Sequence, residues 1–495
     1  MFIQTALTSA DSYKLGHADQ YPDNTDVVYS NFTPRSMAHF YVPDEFKPEG
    51  IVWVGLQGFL QTFVHIWKTT FFDRNEDTVV REFEEFCAPF CGPNGFSTYR
   101  LRKLHRLGYL PLLIKALPEG SIVPVGVPAL TIRNTHKGFG WLTNFVETWL
   151  SAELWKTCTS ATTALTYRKI LAKYVELTGG SSDFANWQIH DFSMRGMSGI
   201  QDAAKTGLGH LVCSLGTDNL AAVKYANDCY SGEVTFVGGS VPATEHSVMC
   251  AGGKETEVET FRRLLQVYPS GVLSIVSDTW DFWHVITDMA RDLKPEIEAR
   301  VPDSLGLAKV VFRPDSGDPV NIICGDPSAP EGSPRHKGAV QCLWDIFGGT
   351  VNSKGFKTLN QRVGLIYGDS ITLHRENEIL RLLAENGFAS DNIVFGVGSY
   401  TYQYQTRDTF GFAMKATYVE INGVGQEIFK DPITDSGTKK SARGLLRVDR
   451  VDGVLKLTDR VSLAEEGGEL STVFLNGQIY SNETLEGIRA RLQVI

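Results

Sequence analysis

Between residues 185 and 400 one pattern recurs: a short apolar run stops abruptly at Gly, Ser or a carboxylate, and a helical stretch follows. The runs at 187–192, 211–215, 234–237, 272–276, 308–312, 363–367 and 393–395 are seven predicted strands. Helical patterns fall between most of them, over 218–229, 279–293 and 376–386. In the last, Ile379, Leu380 and Leu383 share one face and Gly387 is a natural stop. Strands alternating with helices predict a parallel sheet, and this many units suggest a closed barrel rather than an open sheet. The fold class is therefore α/β, an irregular barrel of about seven strands over residues 171–400.

The flanks, 1–170 and 401–495, read differently. Strand-like runs at 110–116, 121–125, 416–421 and 445–448 are punctuated by Pro118-Glu-Gly120, Asn422-Gly423 and Asp452-Gly453. Asn-Gly and Asp-Gly are strong hairpin signals. A second, β-rich α/β domain assembled from both chain ends is predicted.

Composition narrows the function. With 42% apolar and 21% charged residues, the 495-residue chain is ordinary globular protein, not disorder, collagen or coiled coil. Basic residues number 47 and acidic residues 57, a net charge of −10, which argues against binding a nucleic-acid backbone. Small phosphorylated ligands stay open, because a few pocket cations or Mg²⁺ suffice for them. Eight scattered cysteines are too few for a disulfide scaffold and point to a reduced compartment. Cys87-x3-Cys91 lacks a second Cys/His pair, so no zinc site is expected. Neither a signal peptide nor a membrane span is predicted, and a cytoplasmic location is the default expectation.

The strand ends carry the candidate chemistry. Successive runs lead into His190-Asp-Phe192 with Arg195, Gly216-Thr-Asp218, Glu245-His246, Ser277-Asp278, Arg313-Pro-Asp315 and Gly368-Asp369. In a barrel these loops converge on one mouth. Asp191, Asp218, Asp278, Asp315 and Asp369 with Arg195, Arg313 and His246 would suit a polyhydroxylated, charged ligand. Plainer roles compete: Asp218, Asp278 and Asp369 as helix caps, Arg313 with Asp315 as a local turn, His246 as a satisfied buried histidine. Arg35, Arg407, Lys415, Lys430, Lys439, Lys440 and Arg443 would anchor a polyphosphate or form a solvated face. Tyr13, Tyr21, Tyr29, Phe32 and Phe192 would stack on a flat heterocycle or pack in the core.

Taken in order, these motifs resemble the nicotinamide phosphoribosyltransferase family. Asp11-Ser-Tyr-Lys14-Leu-Gly-His17, Gln20-Tyr-Pro22, Val54-Gly-Leu-Gln57, Trp141-Leu-Thr-Asn144 with Glu147, and Ile170-Leu-Ala-Lys-Tyr174 open the match. The strand-end motifs, Ser240-Val-Pro-Ala243, Thr406-Arg-Asp408 and Phe429-Lys-Asp-Pro432 continue it. The resemblance implies a transferase of NAD salvage that makes nicotinamide mononucleotide and pyrophosphate from nicotinamide and phosphoribosyl pyrophosphate. It implies that Phe192 and a partner subunit's Tyr13 sandwich the pyridine, with Asp11 completing the same shared site of a homodimer. Asp218 would accept from the carboxamide and repel nicotinate. Arg195 and Arg313 would hold the amide oxygen or the 5′-phosphate. Asp315 would bind ribose, with Asp278, Gly368 and Asp369 nearby and Mg²⁺ as cofactor, no metal ligand being assigned. Arg35, Arg407, Lys415 and Lys430 would clamp phosphates. His246 resembles a histidine phosphorylated by ATP, which would act as a stimulating co-substrate. Two departures stand out: Gly396-Val-Gly-Ser-Tyr400 replaces a Gly-Ser-Gly-Gly-Gly run, and Ala413 replaces a phosphate-binding Ser. A third is Trp187 where a Tyr is usual. Nicotinate phosphoribosyltransferase is the alternative, followed by a turnover-deficient binding protein and a metal-dependent barrel hydrolase.

Overall fold

A computed structural model describes residues 3–92, 96–430 and 442–493. At its centre six parallel strands run in the spatial order Gly216–Thr217, Ile189–Asp191, Val394–Val397, Val363–Tyr367, Val310–Arg313, Leu273–Val276. Leu273–Val276 and Val310–Arg313 are buried at every position, as strands covered on both faces must be. The sheet curls, and two isolated parallel bridges join its edges: Gly216 with Gly239, and Ala243 with Ser274. The segment 239–243 thus stands where a seventh strand would.

Two predicted strands are corrected. The run at 211–215 is the end of the helix Ile200–Leu211 and its exit turn, and the strand begins only at Gly216. Leu208, Leu211, Val212 and Cys213 pack together against Ala161 and Ala164, so helical spacing and not alternation governs that run. The run at 234–237 forms no strand: Val234 and Phe236 are exposed and only Val237 is buried.

A second, seven-stranded sheet is entirely antiparallel. Its order is Val424–Glu427, Ala413–Ile421, Thr25–Thr33, Leu130–Asn134, Leu112–Ala116, Ser471–Leu475, Gln478–Ile479, so both chain ends do build one sheet. Both hairpin dipeptides turn as their sequences predict. Asn422 and Gly423 have φ of 53° and 75°, Asp452 and Gly453 of 52° and 81°, the left-handed pairs that a two-residue turn needs.

Helices are more prominent in the N-terminal flank than its strand signals suggest: Leu56–Trp67, Glu76–Cys91, Tyr99–Leu107 and Glu147–Thr178. The last has 32 residues, about 48 Å of helix at 1.5 Å per residue. It packs on Ile200–Leu211 and Leu373–Glu385, both on the barrel's outer face, so residue 170 lies inside an element that joins the barrel to the flank. Among the described residues, no helix is long and apolar enough to cross a membrane.

Candidate active site

Five of the six barrel strands lead into a candidate residue at their C-terminal ends, where the backbone leaves the sheet. On Ile189–Asp191 the side chains alternate. His190 and Phe192 fall on one side, their rings edge to face at 5.1 Å, while Asp191 is fully buried on the other. Asp191 therefore does not join the mouth. Its carboxylate accepts from Ser193 N at 2.8 Å and Asn219 Nδ2 at 3.2 Å, tying together the loops that carry Arg195 and Asp218.

Three of the mouth aspartates are not helix caps. Asn219, Asp281 and Thr372 cap the helices that follow Asp218, Asp278 and Asp369. That leaves the three strand-end carboxylates available for other partners.

Phe192 lies over a floor made of glycine. A Cβ on Gly396 would come within 2.3 Å of Cδ2 of Phe192, and one on Gly368 within 3.0 Å of its Cε2 and 2.7 Å of Asp315 Oδ1. The Arg313 guanidinium sits 5.8 Å from the Phe192 ring centroid. Arg313 is buried, and its Nε has no hydrogen-bond partner among the described residues. Asp218 Oδ1 accepts from His190 Nε2 at 2.9 Å and from Ser240 Oγ. Burial pushes the Asp218 carboxyl up. The His190 hydrogen bond and charge, the Ser240 hydroxyl and Arg313 outweigh it and hold the group below its ordinary value.

A carboxylate cluster adjoins this pocket through Arg313, whose Nη2 lies 3.6 Å from Asp315 Oδ2. Asp278 Oδ2 accepts from Asp315 N at 2.9 Å and Ser316 Oγ at 2.6 Å, and its Oδ1 lies 3.2 Å from His246 Nε2. His246 is exposed at the first position of the helix His246–Cys250. Burial raises the Asp315 pKa, the Asp278 and Asp369 charges add to this, and Arg313 and His246 oppose it. The Tyr367 hydroxyl, donating to Gly317 O at 2.8 Å, is pushed well above its ordinary pKa by burial and then by the charges of Asp369, Asp278, Asp315 and Asp318. Phe192, Asp218, Arg313, Asp315, Asp278 and His246 thus form one continuous set. Asp369, exposed and bonded to Ser370 Oγ at 3.0 Å, faces the same cluster. Arg195 is exposed in the turn Met194–Gly196.

The cations gather on the antiparallel sheet and its approach. Arg35 Nε donates to Gly411 O at 2.8 Å, and Arg407 pairs with Asp408 at 3.3 Å. Burial lowers the Lys415 pKa, and Arg35, Lys430 and Arg407 lower it further against Glu147. The four positive charges therefore share one field. Lys439, Lys440, Asp431 and Pro432 lie outside the described residues. Asp11 accepts from Thr148 Oγ1 at 2.7 Å, and Tyr13 is exposed beside His17 and Lys14.

A cavity of about 940 Å³ opens beside Phe192, His190, Asp218, Ser240 and Arg313 and continues through the barrel. That is room for a planar ring with a sugar attached. Three polar contributors were not singled out from the sequence: His190, Ser240 and Ser316. All three sit inside motifs of the sequence, Ser316 in Arg313-Pro-Asp-Ser-Gly317, and the period-two spacing of His190 and Phe192 is a usable signal.

Residues 187–469 match the model of the nicotinate phosphoribosyltransferase (NAPRTase) family, and residues 5–79 match the nicotinamide phosphoribosyltransferase N-terminal domain. A nicotinamide phosphoribosyltransferase of Acinetobacter baylyi is 56% identical over 98% of this chain and 96% of its own. Those of Mycoplasma pneumoniae and Xanthomonas campestris are 34% and 33% identical, over 88% and 99% of this chain and 94% and 98% of their own. In fold the chain is similar to nicotinate-nucleotide pyrophosphorylase from Pyrococcus furiosus, with TM-score 0.55 and 15% identity over 100% of this chain and 97% of the other. It is also similar to human nicotinic acid phosphoribosyltransferase, with TM-score 0.52 and 16% identity over 98% and 92%. The chain belongs to the nicotinamide phosphoribosyltransferase family, within the wider NAPRTase family whose model spans its barrel.

Proposed function

We propose that this phosphoribosyltransferase joins nicotinamide to phosphoribosyl pyrophosphate, giving nicotinamide mononucleotide and pyrophosphate in NAD salvage. The observation that carries the reading is Asp218, an ionised carboxylate beside the Phe192 ring and the cavity. A carboxylate there accepts an N–H from a carboxamide and repels the like-charged nicotinate. This favours nicotinamide over the nicotinate alternative.

The pyridine nitrogen forms a bond to ribose C1 as the C1–O bond to pyrophosphate breaks, and the leaving group takes the electron pair. Nothing needs protonating at the nucleophile, so positioning and charge stabilisation do the work. Phe192 stacks on the ring, and Arg313 and Arg195 hold the amide oxygen or the 5′-phosphate. Asp315 takes the ribose hydroxyls, its carboxylate oxygens accepting from them. Arg35, Arg407, Lys415 and Lys430 receive the phosphates. The sheet that carries them, and the exposed Tyr13 and Asp11, suit a homodimer in which each copy completes the other's mouth.

No group of three or more His, Cys, Asp or Glu side chains forms a metal cage among the described residues. The Asp369 and Asp315 carboxylates, neighbours at the mouth, would be the protein-side partners of Mg²⁺ carried by phosphate oxygens. Bound there, it would neutralise charge on the leaving group. Asp278 is already occupied by three donors. By holding His246 at Nε2 it leaves Nδ1 as the nucleophile for an ATP-derived phosphoryl group.

Product analysis tests the reading. Incubation with nicotinamide and phosphoribosyl pyrophosphate is expected to yield nicotinamide mononucleotide, more of it with ATP present. Equal or better use of nicotinate rejects it, and His246→Ala with unchanged ATP consumption per product removes the ATP step alone.

A further inference from the structure

We propose that His190 and Ser240 are positioning residues which, by donating together to one oxygen of Asp218, leave Oδ2 as the single atom presented to the pyridine's carboxamide. The proposal deepens the function proposed above and rests on it.

The two donors arrive from different elements. His190 comes from the strand Ile189–Asp191, and Ser240 from the segment that bridges the sheet edges. Both reach Oδ1, and among the described residues no hydrogen bond reaches Oδ2. Two donors on one oxygen fix the carboxylate's rotation and draw charge toward that oxygen, while the other keeps its lone pairs for a ligand. His190 is itself held in place. It pairs in register with Gly216 on one side and Gly396 on the other, and its ring meets Phe192 edge to face. The same imidazole thus sets the acid that reads the carboxamide and flanks the ring that stacks on the pyridine.

The donors also keep Asp218 ionised. Burial alone favours its neutral form, and a protonated Asp218 would donate to a carboxylate and so accept nicotinate. The charged groups facing this pair are Arg313 across the pocket, with Asp191 and His210 behind His190.

Steady-state kinetics with both bases decide the matter. Ser240→Ala and His190→Phe each remove a donor, and Ser240→Thr and His190→Gln each retain one. The first pair is expected to lower the ratio of kcat/KM for nicotinamide over nicotinate about tenfold, the loss falling on KM for the base and not on KM for phosphoribosyl pyrophosphate. The second pair is expected to stay within about twofold of the parent. In Ser240→Ala the acid limb of the nicotinamide kcat/KM profile moves to higher pH, a shift that a merely structural residue would not cause. Ser240 is exposed, so its alanine variant decides the case should His190→Phe fail to fold. Unmoved ratios in both donor-free variants overturn the proposal, as does an equal loss in the donor-retaining pair. A parent that makes nicotinamide mononucleotide while the ratios stay fixed sinks this inference alone, and a parent that makes none sinks it together with the proposed function.

Discussion

Asp218 shows what a single side chain decides. Asp218→Asn keeps the shape but removes the charge, so the amide meets the carboxamide N–H with a weaker acceptor and no longer repels an anion. Preference for nicotinamide over nicotinate is expected to fall at least about tenfold, measured as the ratio of kcat/KM values. Gly396 acts through absence. Gly396→Ala would place a methyl 2.3 Å from the Phe192 ring and 2.8 Å from Gly368 Cα, with backbone on one side and an aromatic on the other. The ring must shift, and KM for nicotinamide is expected to rise about tenfold, with about 1–3 kcal/mol lost in stability by thermal melting. The identities of such residues are legible in the motifs, but their jobs are not. Asp191 and Asp218 follow similar runs, yet one braces two loops and the other faces the cavity, because strand alternation turns them to opposite sides.

Among the elements, hairpins are written most plainly. Two central residues with positive φ form a purely local requirement, which Asn422-Gly423 and Asp452-Gly453 meet from sequence alone. A Cβ on Gly423 would touch nothing within 4 Å, so Gly423→Ala carries only the strain of a φ of 75°. It is expected to cost about 1 kcal/mol, lowering the melting temperature while leaving both KM values alone. Runs such as 211–215 are ambiguous for a physical reason. An apolar cluster buried on all sides has no polar face to reveal its period, and packing against Ala161 and Ala164 makes it helical. The helix Glu147–Thr178 hides similarly: buried Thr157, Thr159, Thr162, Thr163 and Thr166 blur its apolar stripe, and the hydroxyls of Thr159, Thr162, Thr163 and Thr166 each donate to the carbonyl four residues back.

At the scale of the whole molecule, Glu119 ties distant parts of the chain together. Its carboxylate, buried, accepts from Gly55 N at 2.7 Å, Gln57 N at 2.6 Å and Tyr230 OH at 2.9 Å, and its carbonyl accepts from Arg491 at 2.6 Å. Burial, opposed by those donors, pushes its pKa from 4.5 to about 7. A carboxyl raised on folding favours the native state fully below pH 4.5, and that contribution is lost as pH climbs through 7. Glu119→Gln should remove a loss of about 3 kcal/mol across that window. The check is the slope of unfolding free energy against pH, parent against variant; the absolute offset also contains a lost acceptor. The proposed sharing of sites between two copies has its own test. Mixing Tyr13→Ala and Asp218→Asn proteins, each impaired alone, is expected to restore about a quarter of the parent's activity, since about half of all dimers are then mixed and each mixed dimer has one intact site in two.

Local rules reached far in this chain. Period and turn chemistry specify βα units ending in carboxylates and a second set of strands at both ends, because those signals need only neighbours along the backbone. Convergence is another matter. That Arg313 bridges Phe192 and Asp315, that His190 and Ser240 meet on one oxygen of Asp218, and that residues 239–243 stand in for a strand are set by curvature of the sheet and register across it. Those depend on contacts between residues tens to hundreds of positions apart, which no local pattern records.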